Sequence, residues 1–156
     1  MTSLPEPSGQ IDGRIHRLKV RAYFEDTDLS GVVYHANYLR WFERGRSDFV
    51  RLLGIDQRTA NESGEGAFAV AELHIRYLRP ARLDDVVTIE TETIELRSAS
   101  CRMVQRAILV EDGRGAELLA EAQVRAGFVA PDGRPRRMPQ GWREAFATIA
   151  PTQETA

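Results

Sequence analysis

The chain has 156 residues, of which 42% are hydrophobic and 28% charged, so its length and composition are those of one ordinary globular domain. The formal net charge of −2 gives no overall basic field, which argues against nucleic acid as a partner. There is neither a secretory signal pattern nor an apolar stretch near the ~20 residues of a membrane span, so we expect a cytoplasmic protein. Cys101, the single cysteine, cannot form an intramolecular disulfide, and we expect a small buried side chain there rather than a reactive thiol.

The two ends of the chain are rich in polar and turn-forming residues. Residues 1–13 contain Pro, Gly and Ser and predict a flexible N-terminal arm. A short helix is predicted at 142–149, followed by a disordered tail at 150–156. A single domain is therefore expected to occupy residues 14–149.

The first half of that domain changes its periodicity twice. Residues 16–25 alternate in the manner of a strand, and residues 25–31 are dense in turn-forming residues. Apolar side chains then recur at helical spacing over 36–53, which predicts a largely covered helix of about five turns. Gly54 stands where a C-terminal cap is expected.

The second half predicts four successive strands, at 67–77, 86–96, 98–110 and 118–130. In the first of them, alternation places Leu73 and Ile75 opposite Phe68 and Val70. In the second, Val87 and Ile89 share a face. Residues 111–115 contain Asp-Gly and predict a hairpin loop. Strands joined by short turns form an antiparallel sheet, and the long helix must bury its apolar face against it, so the fold class is α+β.

The densest cluster of chemically useful residues spans 25–38. It holds Glu25, Asp26 and Asp28, followed by His35 near the predicted helix start. A helix start offers free backbone N–H groups and a partial positive charge, which can stabilise an oxyanion, and a nearby carboxylate can attack a carbonyl or deprotonate water. From the residues alone, Asp28 is equally a turn-capping residue, and His35 equally a helix cap.

Acid clusters also bind metals, but the spacing here does not fit. A calcium loop of the EF-hand type needs about 12 residues ending in a bidentate Glu. In this sequence the apolar run at 32–34 follows the acids directly. We therefore predict no metal site, and nothing else in the sequence suggests a cofactor.

The run YFEDTDLSGVVYHANY, residues 23–38, resembles the signature of the 4-hydroxybenzoyl-CoA thioesterase family, and is most similar to its tol–pal-associated (YbgC-type) acyl-CoA thioesterases. WFERGRSDF, residues 41–49, and PARLDD, residues 80–85, are similar to the following helix and to the second turn. The resemblance covers residues 18–129. It implies the hot-dog fold, an antiparallel sheet wrapped around one long central helix, and the predicted order of elements agrees.

The same resemblance implies an acyl-CoA thioesterase that hydrolyses an acyl-CoA to a free acid and CoA. The catalytic carboxylate falls on Asp28, as nucleophile or general base, and the helix start at His35 polarises the carbonyl through its backbone amide. Asp26 and Thr27 would shape the loop. The residues expected to bind substrate are Gly31, Val33, Tyr34 and Tyr38.

Hot-dog proteins pair through edge strands, which implies a homodimer or homotetramer with active sites between protomers; pairing would also cover sheet edges that are otherwise exposed. Two alternatives remain open from the sequence. One is a thioesterase acting on acyl carrier protein, and the other is a non-catalytic acyl-CoA-binding module on the same fold. Arginines are abundant enough to meet the phosphates of CoA, but none is singled out.

Overall fold

The computed structural model describes residues 3–111 and 115–151. The elements in chain order are β1 (Gln10–Asp12), β2 (Ile15–Arg21), a 3-10 turn (Phe24–Asp26), α1 (Asn37–Leu52), α2 (Gln57–Glu62), β3 (Ala67–Tyr77), β4 (Val86–Leu96), β5 (Ser100–Glu111), β6 (Gly115–Val129) and α3 (Gln140–Ala147). The strands form one antiparallel sheet in the order β1-β2-β4-β5-β6-β3. The predicted α+β hot-dog architecture, a sheet packed around one long helix, is confirmed.

Helix α1 packs on the sheet through one apolar face, because its large side chains recur every three or four residues. Tyr38, Trp41, Phe42 and Phe49 are all buried on that face. Gly45 lies between them, and a Cβ atom there would be 2.9 Å from Ile89 Cγ2. The absence of a side chain at this position therefore allows the close approach of the helix to β4.

The core consists of two clusters along the helix. Val87 and Ile89 of β4 belong to the first cluster and are fully buried, so the predicted shared face is confirmed. Cys101 belongs to the second, with Phe49 and Phe146, and burial raises the pKa of its thiol to about 11. The expectation of a small buried side chain at Cys101 is confirmed, because a thiol that stays protonated at neutral pH is a poor nucleophile.

The predicted flexible arm is wrong for its last residues. Gln10–Asp12 form β1 and pair with β2, and the amide of Gly9 donates a hydrogen bond to Asp48 Oδ2 at 2.9 Å. Gly13, with φ of +66°, supplies the tight turn between the two strands. The Pro- and Gly-rich composition obscured this three-residue strand. Similarly, the first predicted strand ends at Arg21 rather than at residue 25.

Strand β3 contains a bulge that alters its predicted faces. Its register with β6 shifts between Val70 and Glu72, so one extra residue is inserted. As a result Phe68 and Leu73 both pack against core residues, although simple alternation placed them on opposite faces. The predicted Asp-Gly hairpin loop and most of the predicted tail lie outside the described residues. Within the described residues, no helix has the length and apolar character needed to cross a membrane.

Candidate active site

The loop between β2 and α1 is fixed by backbone hydrogen bonds within itself and to the turn before β4. The amide of Asp28 donates to the carbonyl of Val32 at 2.9 Å. The amide of Val33 donates to the carbonyl of Ala81 at 2.8 Å, and Val32 forms an isolated bridge with Arg82. The loop is therefore a defined structure held against the β3–β4 connection.

Asp26 supports this loop from inside. This residue is only 8% exposed. Its carboxylate accepts hydrogen bonds from the amide of Tyr23 at 2.8 Å and from Asn37 Nδ2 at 2.9 Å. Its carbonyl accepts from the amide of Tyr34 at 2.8 Å. All of these partners belong to the loop or to the first residue of α1, which is the position of a residue that shapes the loop.

Asp28 lies at the tip of the loop and is exposed to solvent. Its Oδ1 accepts two hydrogen bonds from Ser30, from the hydroxyl at 2.5 Å and from the amide at 2.8 Å. These bonds, the hydroxyl bond first, lower the pKa of Asp28 below its usual value, so the side chain is ionised at neutral pH. Both Ser30 bonds go to Oδ1, so Oδ2 is the oxygen more available for chemistry.

The backbone N–H groups that are available to a substrate lie just before α1 rather than in its first turn. The amides of Asn37, Tyr38 and Leu39 are bonded to the carbonyls of Tyr34, His35 and Ala36 in the manner of a 3-10 turn. In the part of the chain that the structure describes, the amides of His35 and Ala36 have no partner. These two N–H groups can therefore receive the oxygen of a substrate carbonyl.

Tyr77, at the end of β3, fixes one of these two amides. Its hydroxyl donates a hydrogen bond to the carbonyl oxygen of His35 at 2.8 Å. That carbonyl and the amide of Ala36 belong to the same peptide plane, so the bond orients and polarises the Ala36 N–H. The His35 imidazole is exposed and lies between the rings of Tyr34 and Tyr77, with centroid distances of 4.6 and 6.0 Å.

The four residues expected to bind substrate separate into two pairs. Gly31, with φ of +83°, and Tyr34, 50% exposed, lie on the surface of the loop. Val33 and Tyr38 are 5% and 2% exposed and belong to the core, where Tyr38 Oη accepts a hydrogen bond from the amide of Ala81. For Val33 and Tyr38 direct contact with substrate stays a prediction, and in this protomer both side chains pack in the core.

The surface around Asp28 is open and apolar. Phe24, Leu29 and Leu83 are exposed around the loop, with the amide of Leu83 bonded to the carbonyl of Gly31. None of five cavities in the described part of the chain is lined by Asp28 or His35. Exposed apolar patches of this kind mark interaction surfaces. No group of three His, Cys, Asp or Glu side chains among the described residues is placed to hold a metal ion.

The residues that sequence analysis did not single out are Ser30, Asn37 as the partner of Asp26, and Tyr77. Ser30 follows Asp28 by two residues, which is the spacing of an Asx turn, so this contact had a local signal. Tyr77 is distant in sequence from His35, and no local pattern indicates their contact.

The similarity of this chain to known proteins extends over the part that includes the candidate site. Residues 23–146 match the thioesterase-like superfamily. The chain is 42% identical over 110 residues to the acyl-CoA thioesterase YbgC of Haemophilus influenzae, covering 70% of this chain and 77% of that protein. It is 39% identical over 127 residues to the acyl-CoA thioester hydrolase YbgC of Escherichia coli O157:H7, covering 81% and 91%.

Solved structures show the same fold. A probable thioesterase from Bartonella henselae is 38% identical, with a TM-score of 0.69 over 80% of this chain and 98% of that one. The 4-hydroxybenzoyl-CoA thioesterase from Pseudomonas sp. strain CBS-3 is 25% identical, with a TM-score of 0.76 over 85% of this chain and 99% of that one.

Proposed function

This chain belongs to the thioesterase-like superfamily, and from that premise we propose that it hydrolyses the thioester of an acyl-CoA to a free carboxylic acid and CoA. It is a hydrolase, and relatives named acyl-CoA thioesterase or thioester hydrolase support the substrate class. One observation carries the proposal for the site. An ionised Asp28, bonded to Ser30 through Oδ1, shares a loop with the amides of His35 and Ala36, which have no partner among the residues that the structure describes.

The carbonyl oxygen of the thioester accepts hydrogen bonds from the amides that precede α1. This polarises the carbonyl and stabilises the negative charge that develops when its carbon is attacked. The positive end of the helix dipole adds to the same effect. Tyr77 acts as a positioning residue, because its bond to the His35 carbonyl holds the peptide plane that carries the Ala36 N–H.

Asp28 acts on the carbonyl carbon by one of two routes. As a nucleophile, Oδ2 attacks the carbon, the thiolate of CoA leaves, and water then hydrolyses the mixed anhydride to release the acid. As a general base, Asp28 takes a proton from water while the hydroxide attacks, and the proton returns to the thiolate. Label in the Asp28 carboxylate after repeated turnover in ¹⁸O-labelled water would demonstrate the nucleophile route, with water attacking the Asp28 carbonyl of the anhydride.

The reaction needs no strong general acid. A thiolate is a much better leaving group than an amine, so departure of CoA requires little protonation in the transition state. One carboxylate and a pair of backbone donors are therefore sufficient chemistry for a thioester. The exposed His35 contributes through its backbone in this mechanism, while its ring packs beside Tyr34 and Tyr77.

The site is completed by a second copy of the chain in a homodimer or homotetramer. The support is the exposed apolar surface at Phe24, Leu29 and Leu83 together with the sheet edge at β3, which pairs only with β6 within the described residues. An uncovered long edge strand is a liability that pairing removes. Elution as a monomer at micromolar concentration would contradict an active site between protomers.

The experiment for the substrate class is thiol release from a panel of acyl-CoAs, from acetyl to palmitoyl and including benzoyl. The proposal predicts turnover of at least one member, and the preferred member identifies the acyl group. The same acyl groups on acyl carrier protein form the second arm. If thiol is released only from acyl carrier protein, that protein rather than CoA carries the acyl group of the substrate. Absence of thiol release from both carriers would contradict thioester hydrolysis.

A further inference from the structure

Arg46 lies in a cleft that the proposed mechanism does not use. The cleft, of about 130 Å³, opens between the second half of α1 and the sheet, and its walls include the apolar side chains of Val50, Phe68, Met103 and Phe146. Arg46 is nine residues along α1 from Asn37, which places it roughly 13 Å from the helix start at ~1.5 Å per residue. It is thus a separate place in the fold from the amides beside Asp28.

The guanidinium of Arg46 is held by a neutral partner. Its Nη1 donates a hydrogen bond to Gln105 Oε1 at 2.8 Å. Gln105 is fully buried, and its Nε2 donates to the carbonyl of Phe42 at 2.8 Å and to Thr91 Oγ1 at 2.9 Å. Because the Phe42 carbonyl can only accept, it fixes the amide orientation, so that Oε1 faces the arginine. Gln105 therefore positions the guanidinium without neutralising its charge.

No protein carboxylate neutralises Arg46 by contact within the described residues. Glu43 lines the same cleft, and its charge acts to raise the pKa of Arg46, but among the described residues it makes no contact ion pair with Arg46. Its Oε1 accepts a hydrogen bond from Ser47 at 2.9 Å. The thiol of Cys101, also in the cleft, stays protonated at neutral pH because burial raises its pKa to about 11. Burial also lowers the pKa of Arg46, which shows that the charged form is partly desolvated.

We propose that this cleft binds a small organic carboxylate with a short apolar part, whose carboxylate pairs with Arg46 and whose hydrocarbon lies against Val50, Met103 and Phe146. A guanidinium presents a planar fork of N–H donors that matches a carboxylate in two parallel hydrogen bonds. A partly desolvated charge that no carboxylate contacts among the described residues is unfavourable, and such a ligand supplies a counter-charge in contact with it. The apolar walls and small volume favour a short chain or a single ring.

Substitution of Glu43 should have the opposite effect on carboxylate binding to substitution of Arg46. Its negative charge at the edge of the cleft repels an incoming carboxylate, so Glu43→Gln tightens binding while Arg46→Met abolishes it. Arg44→Met is the matched control, because Arg44 carries the same charge on the same helix but is exposed and lies outside the cleft. Its affinity for carboxylates should equal that of the wild type.

The experiment is calorimetric titration of the full chain with butyrate, hexanoate and benzoate, and with butyramide as a neutral match for butyrate. We expect saturable binding of a carboxylate, at least about tenfold weaker binding of the amide, and loss of binding in Arg46→Met. Absence of saturable binding, equal affinity for butyrate and butyramide, or unchanged affinity in Arg46→Met would overturn the proposal. If Arg46→Met does not fold, Arg46→Lys and the butyrate–butyramide comparison on wild type decide in its place.

Discussion

The side-chain amide of Asn37 donates a hydrogen bond to Asp26 Oδ1 at 2.9 Å, and this buried contact joins the base of the Asp28 loop to the first residue of α1. The carboxylate of Asp26 has its other protein partner in the amide of Tyr23. The contact therefore fixes the distance between the loop that carries the Asp28 carboxylate and the peptide groups that precede α1.

Asn37→Ala should reduce both stability and activity. It leaves a buried carboxylate with one partner fewer, which costs about 1–3 kcal/mol of unfolding free energy. The kcat should fall as well, because the loop and the helix start are no longer joined. Urea unfolding and steady-state kinetics measure the two effects. Asn61→Ala, at an exposed position of α2, is the control, and an equal effect there would contradict the assigned contact.

Ser30→Ala should shift the acidic limb of the pH–rate profile. The two hydrogen bonds from Ser30 lower the pKa of Asp28, so activity that depends on its carboxylate persists down to acidic pH and is lost as pH falls through that lowered pKa. Without the hydroxyl the pKa rises, and the loss of kcat/KM begins at a higher pH. If the acidic limb of Ser30→Ala is at the same pH as that of the wild type, ionisation of Asp28 does not set the acidic limb.

Tyr77→Phe should lower kcat about two- to tenfold with little change in KM, since one neutral hydrogen bond contributes about 0.5–1.5 kcal/mol. The lost bond orients the Ala36 amide, which acts on the transition state more than on the ground state. Tyr23→Phe is the matched control, because that tyrosine is exposed. A rise in KM at constant kcat would instead assign Tyr77 to binding.

Gly45→Ala should destabilise the fold by about 1–3 kcal/mol through overpacking. Its new methyl would lie 2.9 Å from Ile89 Cγ2 and 3.0 Å from Thr91 Oγ1, both on a sheet that cannot easily retreat. Gly141→Ala, in α3, meets no atom within 4 Å and should stabilise by about 0.4–1 kcal/mol. Thermal unfolding compares the two, and a shift of the same sign in both would contradict the close-packing argument.

Periodicity predicted the long helix and the four strands after it well, because each buries a continuous face over many residues. It missed β1 and α2, which are too short to show a period, and it assigned Phe68 to the wrong face because a bulge has no sequence mark of its own. The wrong assignment shows how one inserted residue reverses the faces of a strand.

For the candidate site, the signature at residues 23–38 identified the loop, and the contact between Asp28 and Ser30 was predictable from their spacing, which is that of an Asx turn. The contacts that position the loop were not, because Tyr77 and Ala81 come to it from another strand and turn. Val33 and Tyr38 were expected at the substrate because they belong to the signature. Their burial shows that part of such a signature serves packing.

The most direct test of the account is thiol release from the preferred acyl-CoA by wild type, Asp28→Asn and Asp132→Asn. Asp132 forms the same kind of turn as Asp28, accepting a hydrogen bond from the amide two residues later at 3.0 Å, but in the loop after β6. We expect Asp28→Asn to lower kcat by at least about a hundredfold with substrate binding nearly intact, and Asp132→Asn to match wild type. Wild-type turnover in Asp28→Asn would remove that carboxylate from the mechanism.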